Sequence, residues 1–249
     1  MRVLRALLEV VLWILIVATA AVIVAVYSGF VHGEDGINLQ TAPPRAGTPI
    51  AAPTPSNAQR ASIAAESDDS TKLPGRFVPP QGRQHTGAYP LAQHIPFCPE
   101  HVTSDDCYAS NPPTSGMHLP VQGRVTLEDG HQINLPPDPE VYGFAIPRES
   151  IPHIEEHAGV YVGYRCASDA CNQTIDRLTD LVTQELSLGE RVVMSPDPDL
   201  DNDTIGLAAW TRVDDFAATD YTDDRVRTFI KAHSCRFDPE LFCPVTPVN

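Results

Sequence analysis

Apolar and polar positions divide the chain into three unequal stretches. From Val10 to Tyr27 no charge interrupts an almost wholly apolar run. With Ala6-Leu7-Leu8 ahead of it, this run reaches the roughly 20 residues needed to span hydrocarbon. Arg2 and Arg5 precede it, and positive residues are retained on the cytoplasmic side, so the pattern predicts a single-pass anchor with its amino terminus inside. A cleaved signal peptide is the alternative, but its apolar core of about 7–15 residues would be shorter. Residues 32–75 are dominated by Ala, Pro, Thr and Ser, a composition that buries too little apolar surface to offset the entropy of ordering. The expected organisation is an anchor over 1–31, a disordered tether over 32–75 and an extracytoplasmic domain over 76–249.

Within 76–249 the periodicity changes from element to element. Val121–Leu127 and Gln132–Leu135 flank Glu128-Asp129-Gly130-His131, which predicts a hairpin. Gly159–Cys166 alternates Val160, Val162 and Tyr164 with Tyr161, Gly163 and Arg165, as a half-buried strand does. Asn172 or Thr174 can then cap a helix that aligns Ile175, Leu178, Leu181, Val182 and Leu186 on one face and ends at Gly189. Val192–Met194 and Ile205–Thr211 predict two further strands. Thr222-Asp223-Asp224 opens a last helix with Val226, Phe229 and Ile230 inward. The fold class expected is α+β: a small mixed β-sheet, two helices on one face, and an irregular Pro-rich N-terminal part.

Charge narrows the function classes. Between Arg76 and Asn249 twelve Lys/Arg face twenty-six Asp/Glu, a surface that repels phosphate backbones, so nucleic acid is excluded as a partner. Six cysteines, all beyond the apolar run, fit an oxidising compartment. Their proximity suggests disulfides Cys98–Cys107, Cys166–Cys171 and Cys235–Cys243, although sequence leaves the connectivity open. A Cys-rich zinc site is the competing reading and lacks any Cys-x-x-Cys pair.

Candidate chemistry concentrates in two short segments, Asn111-Pro112-Pro113-Thr114-Ser115-Gly116-Met117-His118 and His153-Ile154-Glu155-Glu156-His157. Imidazole is the commonest protein ligand for zinc and copper, and a Pro-Pro turn is stiff enough to mount one without a long helix. These residues resemble the bacterial domain-of-unknown-function 3105 family, whose pattern is Pro-Pro-Thr-Ser-Gly-x-His, a Tyr-Gly step, then His-x-x-Glu-His-Gly leading into a strand. The resemblance runs from about Gly82 to Glu240 and implies a membrane-tethered extracytoplasmic domain with these histidines at its centre. Met117 stands where the family has proline, Glu155 where it has leucine, and Ala158 separates His157 from Gly159. A thioether beside His118 would favour copper(I), and the additional residue bears on the orientation of His157. His85, in Gln81-Gly82-Arg83-Gln84-His85, also resembles the pattern and is a reserve ligand.

His153, Glu156 and His157 share their spacing with inverted zinc peptidases, in which two histidines hold zinc and the glutamate takes a proton from bound water. Pro152 and Gly159 leave barely two turns for such a helix, so binding is favoured over catalysis. The expected function is storage, delivery or sensing of copper or zinc through His118, His153 and His157, with Glu156 or His85 completing the shell. The alternative is an envelope interaction module, whose histidines only hold turns together and whose acidic face meets a protein partner.

Overall fold

The computed structural model describes residues 57–98 and 106–244. They fall within one compact unit, Thr54–Asn249. The expected membrane anchor lies outside the described residues; among those described, no helix is long and apolar enough to cross a membrane.

The elements in chain order are α1 (Asn57–Glu66), β1 (Arg76–Phe77), β2 (Gly123–Thr126), β3 (Gln132–Leu135), α2 (Ile151–Glu156), β4 (Val160–Arg165), α3 (Asp169–Ser187), β5 (Val192–Pro196), β6 (Thr204–Ala209), β7 (Arg212–Ala217) and α4 (Asp223–His233). One sheet has the order β1-β7-β6-β4-β5, and β2 and β3 form a separate two-stranded ribbon. The sheet is mixed: β4 and β5, joined through α3, run parallel, while β6 pairs antiparallel with both β4 and β7. A crossover helix is what parallel neighbours require.

The two long helices pack on one face, as their apolar stripes predict. Ile175, Leu178, Leu181 and Val182 of α3, with Val226, Phe229 and Ile230 of α4, cover Val160, Val162, Val192, Met194, Ile205 and Leu207. Each fully buried apolar side chain contributes about 1.5–3 kcal/mol, so this layer anchors the fold. Alternate strand residues point the other way. Tyr161, Val193 and Ala208 meet Ile151 and Ile154 of α2, Leu119, and Leu127, Ile133 and Leu135 of the ribbon region. Strand β4 is therefore buried on both faces over Val160–Gly163, not half-buried as its alternation suggests. The irregular front of the chain forms the second cover.

Other boundaries also differ from expectation. Ser168 caps α3, its side chain accepting from the Cys171 backbone N–H, one turn ahead of Asn172 and Thr174. The Cys166–Cys171 disulfide and Asp203, which accepts from Ala167 N and Ser168 N, fix that earlier start. All three sequence-local cysteine pairs are disulfides. Strand β7 adds to the strands the sequence predicts; Asp214 and Asp215 interrupt its apolar pattern, and Asp214 takes two hydrogen bonds from Arg225 of α4. Residues 57–75, placed by composition in the tether, carry α1 and bond to the domain. Ser62 Oγ accepts from Asp238 N, and Arg212 donates to the carbonyls of Asp68, Ser70 and Gly75.

Candidate metal centre

The Pro-Pro turn is seated before its histidine is presented. An alanine at Gly206 of β6 would place its Cβ 2.6 Å from Cδ of Pro112, so only glycine lets the turn lie this close to the sheet. Gln81 then ties the turn to the upstream segment: its side chain bonds Cys107 O and Ala109 N, and its own N–H donates to Ser115 Oγ. Gly116 takes φ +113°, which admits the bend before His118. Residues 82–86 and 116–118 run parallel, joined by Gly116 N to Gly82 O, His118 N to Gln84 O and Thr86 N to His118 O. That bridge sets His85 beside His118, their ring centroids 4.9 Å apart.

Helix α2 supplies the opposite wall. Pro152 starts it without losing a needed donor. Residues three and four apart share a helix face, so His153, Glu156 and His157 turn together toward the Pro-Pro turn while Ile151 and Ile154 enter the core. The helix ends in a Schellman arrangement, with Gly159 N bonding Ile154 O and Ala158 N bonding Glu155 O, and Ala158 in the left-handed region at φ +66°. The additional residue is thus absorbed in the cap, and His157 keeps its place one turn after His153. The helix has six residues, too short for a peptidase motif helix.

Four ligand atoms, from His85, His118, His153 and Glu156, lie within 4.8 Å of one another. A tetrahedral zinc with bonds of about 2.0–2.1 Å needs ligand-to-ligand edges of roughly 3.4 Å, a modest contraction of this group. His118 is 0% exposed, His153 and Glu156 are buried, and His85 is open to solvent. Backbone carbonyls fix two of the rings: His118 Nδ1 lies 2.8 Å from Gly116 O and His153 Nδ1 2.6 Å from Leu119 O. With Nδ1–H donated, each Nε2 carries its lone pair inward, the usual outer support of a metal-bound imidazole.

The inward atoms are poorly served without a cation. His118 Nε2 stands 3.1 Å from Glu156 Oε2, yet the ring direction misses that oxygen and the buried nitrogen has no hydrogen-bond partner. A buried nitrogen lone pair with no donor beside it is costly unless a proton or cation binds there. His153 Nε2 lies 3.0 Å from His157 Nε2, so His157 adjoins the four-residue group through His153. Burial, with His118 adding to it, holds His153 below its ordinary value although the Leu119 carbonyl pulls the other way. Burial and then His153 press His157 down to about 4. Burial would raise Glu156, but His118, Arg83 and His153 together outweigh it and hold the carboxyl below its ordinary value. Neutral imidazoles and an ionised carboxylate are the forms that ligate metal.

Three contacts were not foreseen from sequence. Arg83 Nη1 approaches Glu156 Oε1 at 3.7 Å, Glu240 Oε2 approaches His157 Nε2 at 3.3 Å, and Phe242 stacks on the His157 ring at 4.0 Å. The usable signal was the Cys235–Cys243 pair, which folds Glu240 and Phe242 back toward α2. Met117 departs from its expected part: it lines a cleft with Leu91, His94 and Ile95, on the side opposite its neighbour His118. Glu155 faces away from the imidazoles and is buried with both oxygens unpartnered. A second group, Cys166, Cys171 and Asp203, has its two sulfurs joined in a disulfide and is no ligand set.

No curated protein and no solved structure matches this chain. A family model does match, over residues 101–241, more than half of the chain, and its description is a protein of unknown function (DUF3105). Both histidine segments and Glu240 lie inside the matched region, and His85 lies ahead of it. The chain belongs to the DUF3105 family.

Proposed function

We propose that this domain binds one zinc or copper ion through His118, His153 and Glu156, with His85 as the solvent-side ligand, and stores, delivers or senses that metal outside the cell on an N-terminal membrane anchor. The observation that carries the reading is the pair of buried imidazoles whose Nδ1 atoms are fixed on backbone carbonyls while their Nε2 atoms converge beside a carboxylate. Three nitrogens and one oxygen suit zinc or copper(II). Met117 gives no support for copper(I), since it lines a different cleft. Excess acidic charge favours attraction of cations to the domain.

Elemental analysis and calorimetry on the chelator-stripped full chain test it. One ion per chain is expected, and His118→Ala or His153→Ala should weaken binding by more than the about 10–100-fold that loss of an outer-shell partner costs. Failure to take up either metal, or variants that lose stability but keep affinity, would sink the proposal in favour of the interaction module.

A further inference from the structure

His118, His153 and Glu156 would enclose a metal with buried side chains and leave its solvent side to His85, and such an ion gives up several metal–ligand bonds before water replaces them. Exchange therefore has to proceed by ligand substitution, one bond forming as another breaks. Outside the four-residue group, the structure holds two further donors in line. His157 Nε2 is 3.0 Å from His153 Nε2, and Glu240 Oε2 is 3.3 Å from His157 Nε2. The side chains open outward in the same order, 12% exposed for His157 and 50% for Glu240. Each step is close to the roughly 3.4 Å edge between two ligands of one tetrahedral ion.

The outer donors are held in place. The Cys235–Cys243 disulfide closes the loop that carries Glu240, and the Asp238 carboxylate accepts from Phe242 N and Cys243 N within it. Ser62 Oγ of α1 accepts from Asp238 N at 2.6 Å. Phe242 stacks on the His157 ring, and Arg191 lies over Phe242 while its Nε donates to the His157 carbonyl. The loop is thus fixed against this one imidazole by a ring stack and a carboxylate.

We propose, resting on the metal-binding reading above, that Glu240 and His157 form an exchange arm through which a divalent transition-metal ion passes between solvent and the buried centre. Inward, a metal–oxygen bond to Glu240 would form as one water leaves. A metal–nitrogen bond to His157 Nε2 would form as a second water leaves and the proton of that nitrogen passes to solvent, with Nδ1 taking one up. His153 would then displace Glu240, and His118, Glu156 and His85 would displace His157 and the remaining waters. Outward transfer reverses these steps. No electron changes hands, and the carboxylate compensates the charge of the ion while it is partly hydrated.

Stopped-flow mixing of the full chain with zinc, and transfer of zinc from the loaded chain to a chromogenic chelator, test the arm. Glu240→Gln should slow loading and release together by about tenfold, an increase of about 1.4 kcal/mol in the barrier. His157→Gln should do the same, whereas His118→Ala should lower affinity. Glu240 is exposed, so its variant keeps the experiment decisive if His157→Gln misfolds. Wild-type exchange rates in zinc-bound Glu240→Gln refute the arm and leave the centre standing. Affinity lost as in His118→Ala would make Glu240 a resident ligand, which also refutes it. A wild-type chain that takes up no metal refutes the centre and the arm together.

Discussion

Replacing Glu155 by leucine should stabilise the domain at neutral pH. Glu155 is 1% exposed and neither carboxyl oxygen has a partner. Burial pushes its pKa well above the ordinary 4.5, and Arg236, the opposing charge, pulls the other way. Arg236 has little to offer, since its guanidinium already donates to Ala65 O, Trp210 O, Thr211 Oγ1 and His233 Nδ1. An unpartnered buried polar group costs about 1–3 kcal/mol, and an apolar group of similar shape removes that cost. At about 2–4 °C per kcal/mol for a unit of this size, the expected gain in Tm is roughly 2–12 °C at pH 7. Because the folded pKa is raised, the wild type keeps its full stability below pH 4.5. It loses stability as pH rises from there, where the unfolded chain ionises and the folded one does not. The advantage of Glu155→Leu should thus shrink toward pH 4.5, and Glu155→Gln should remove the pH dependence while leaving the burial cost. Calorimetric melts of the three proteins at pH 7 and 4.5 decide it. A less stable leucine variant would show that Glu155 is ionised and paired with Arg236, and the reasoning would be wrong.

Two further outcomes follow from burial in the same body. His233 is pressed down to about 4, first by burial and then by Arg236 and Arg212, although the Pro74 carbonyl opposes them. Its contribution should be complete above pH 6.5 and lost as pH falls through about 4, up to about 3 kcal/mol, a slope that denaturant melts should find flattened in His233→Gln. Gly206→Ala drives a methyl group into the Pro112 ring, a contact of 2.6 Å with Cδ. It should cost about 1–3 kcal/mol by overpacking and lower metal affinity by displacing the turn that carries His118, as melts and calorimetry on one preparation would show.

The fold was legible where one face of an element decides its place. Helices α3 and α4 and strands β5 and β6 carry apolar stripes that meet in a single layer, and the periodicity locates them to within a few residues. It fails where a polar residue inside an element is satisfied by a distant partner. Asp214 breaks the pattern of β7 because its charge is met by Arg225 across the connection to α4. In α1, Ala and Ser look like tether composition, and the partners that order the segment, Asp238 and Arg236, lie about 170 residues away. Local propensity contains neither contact.

The candidate site divides along the same line. His118, His153, Glu156 and His157 were legible because stiff turns and a one-turn spacing put imidazoles on one face, and the structure draws His85 into contact with them through the 82–86 bridge. Arg83, Glu240 and Phe242 were not, since a carboxylate in an acidic chain and an aromatic near a terminus carry no local mark. What brings Glu240 within 3.3 Å of His157 is a disulfide loop that closes after α4 and folds back past the end of α2. The inner candidate ligands are thus specified by short sequence segments, and the groups around His157 by tertiary closure. That division suits the chemistry proposed for each: holding an ion would need rigid donors at fixed spacing, whereas passing it outward would need donors on a separate loop that reaches solvent.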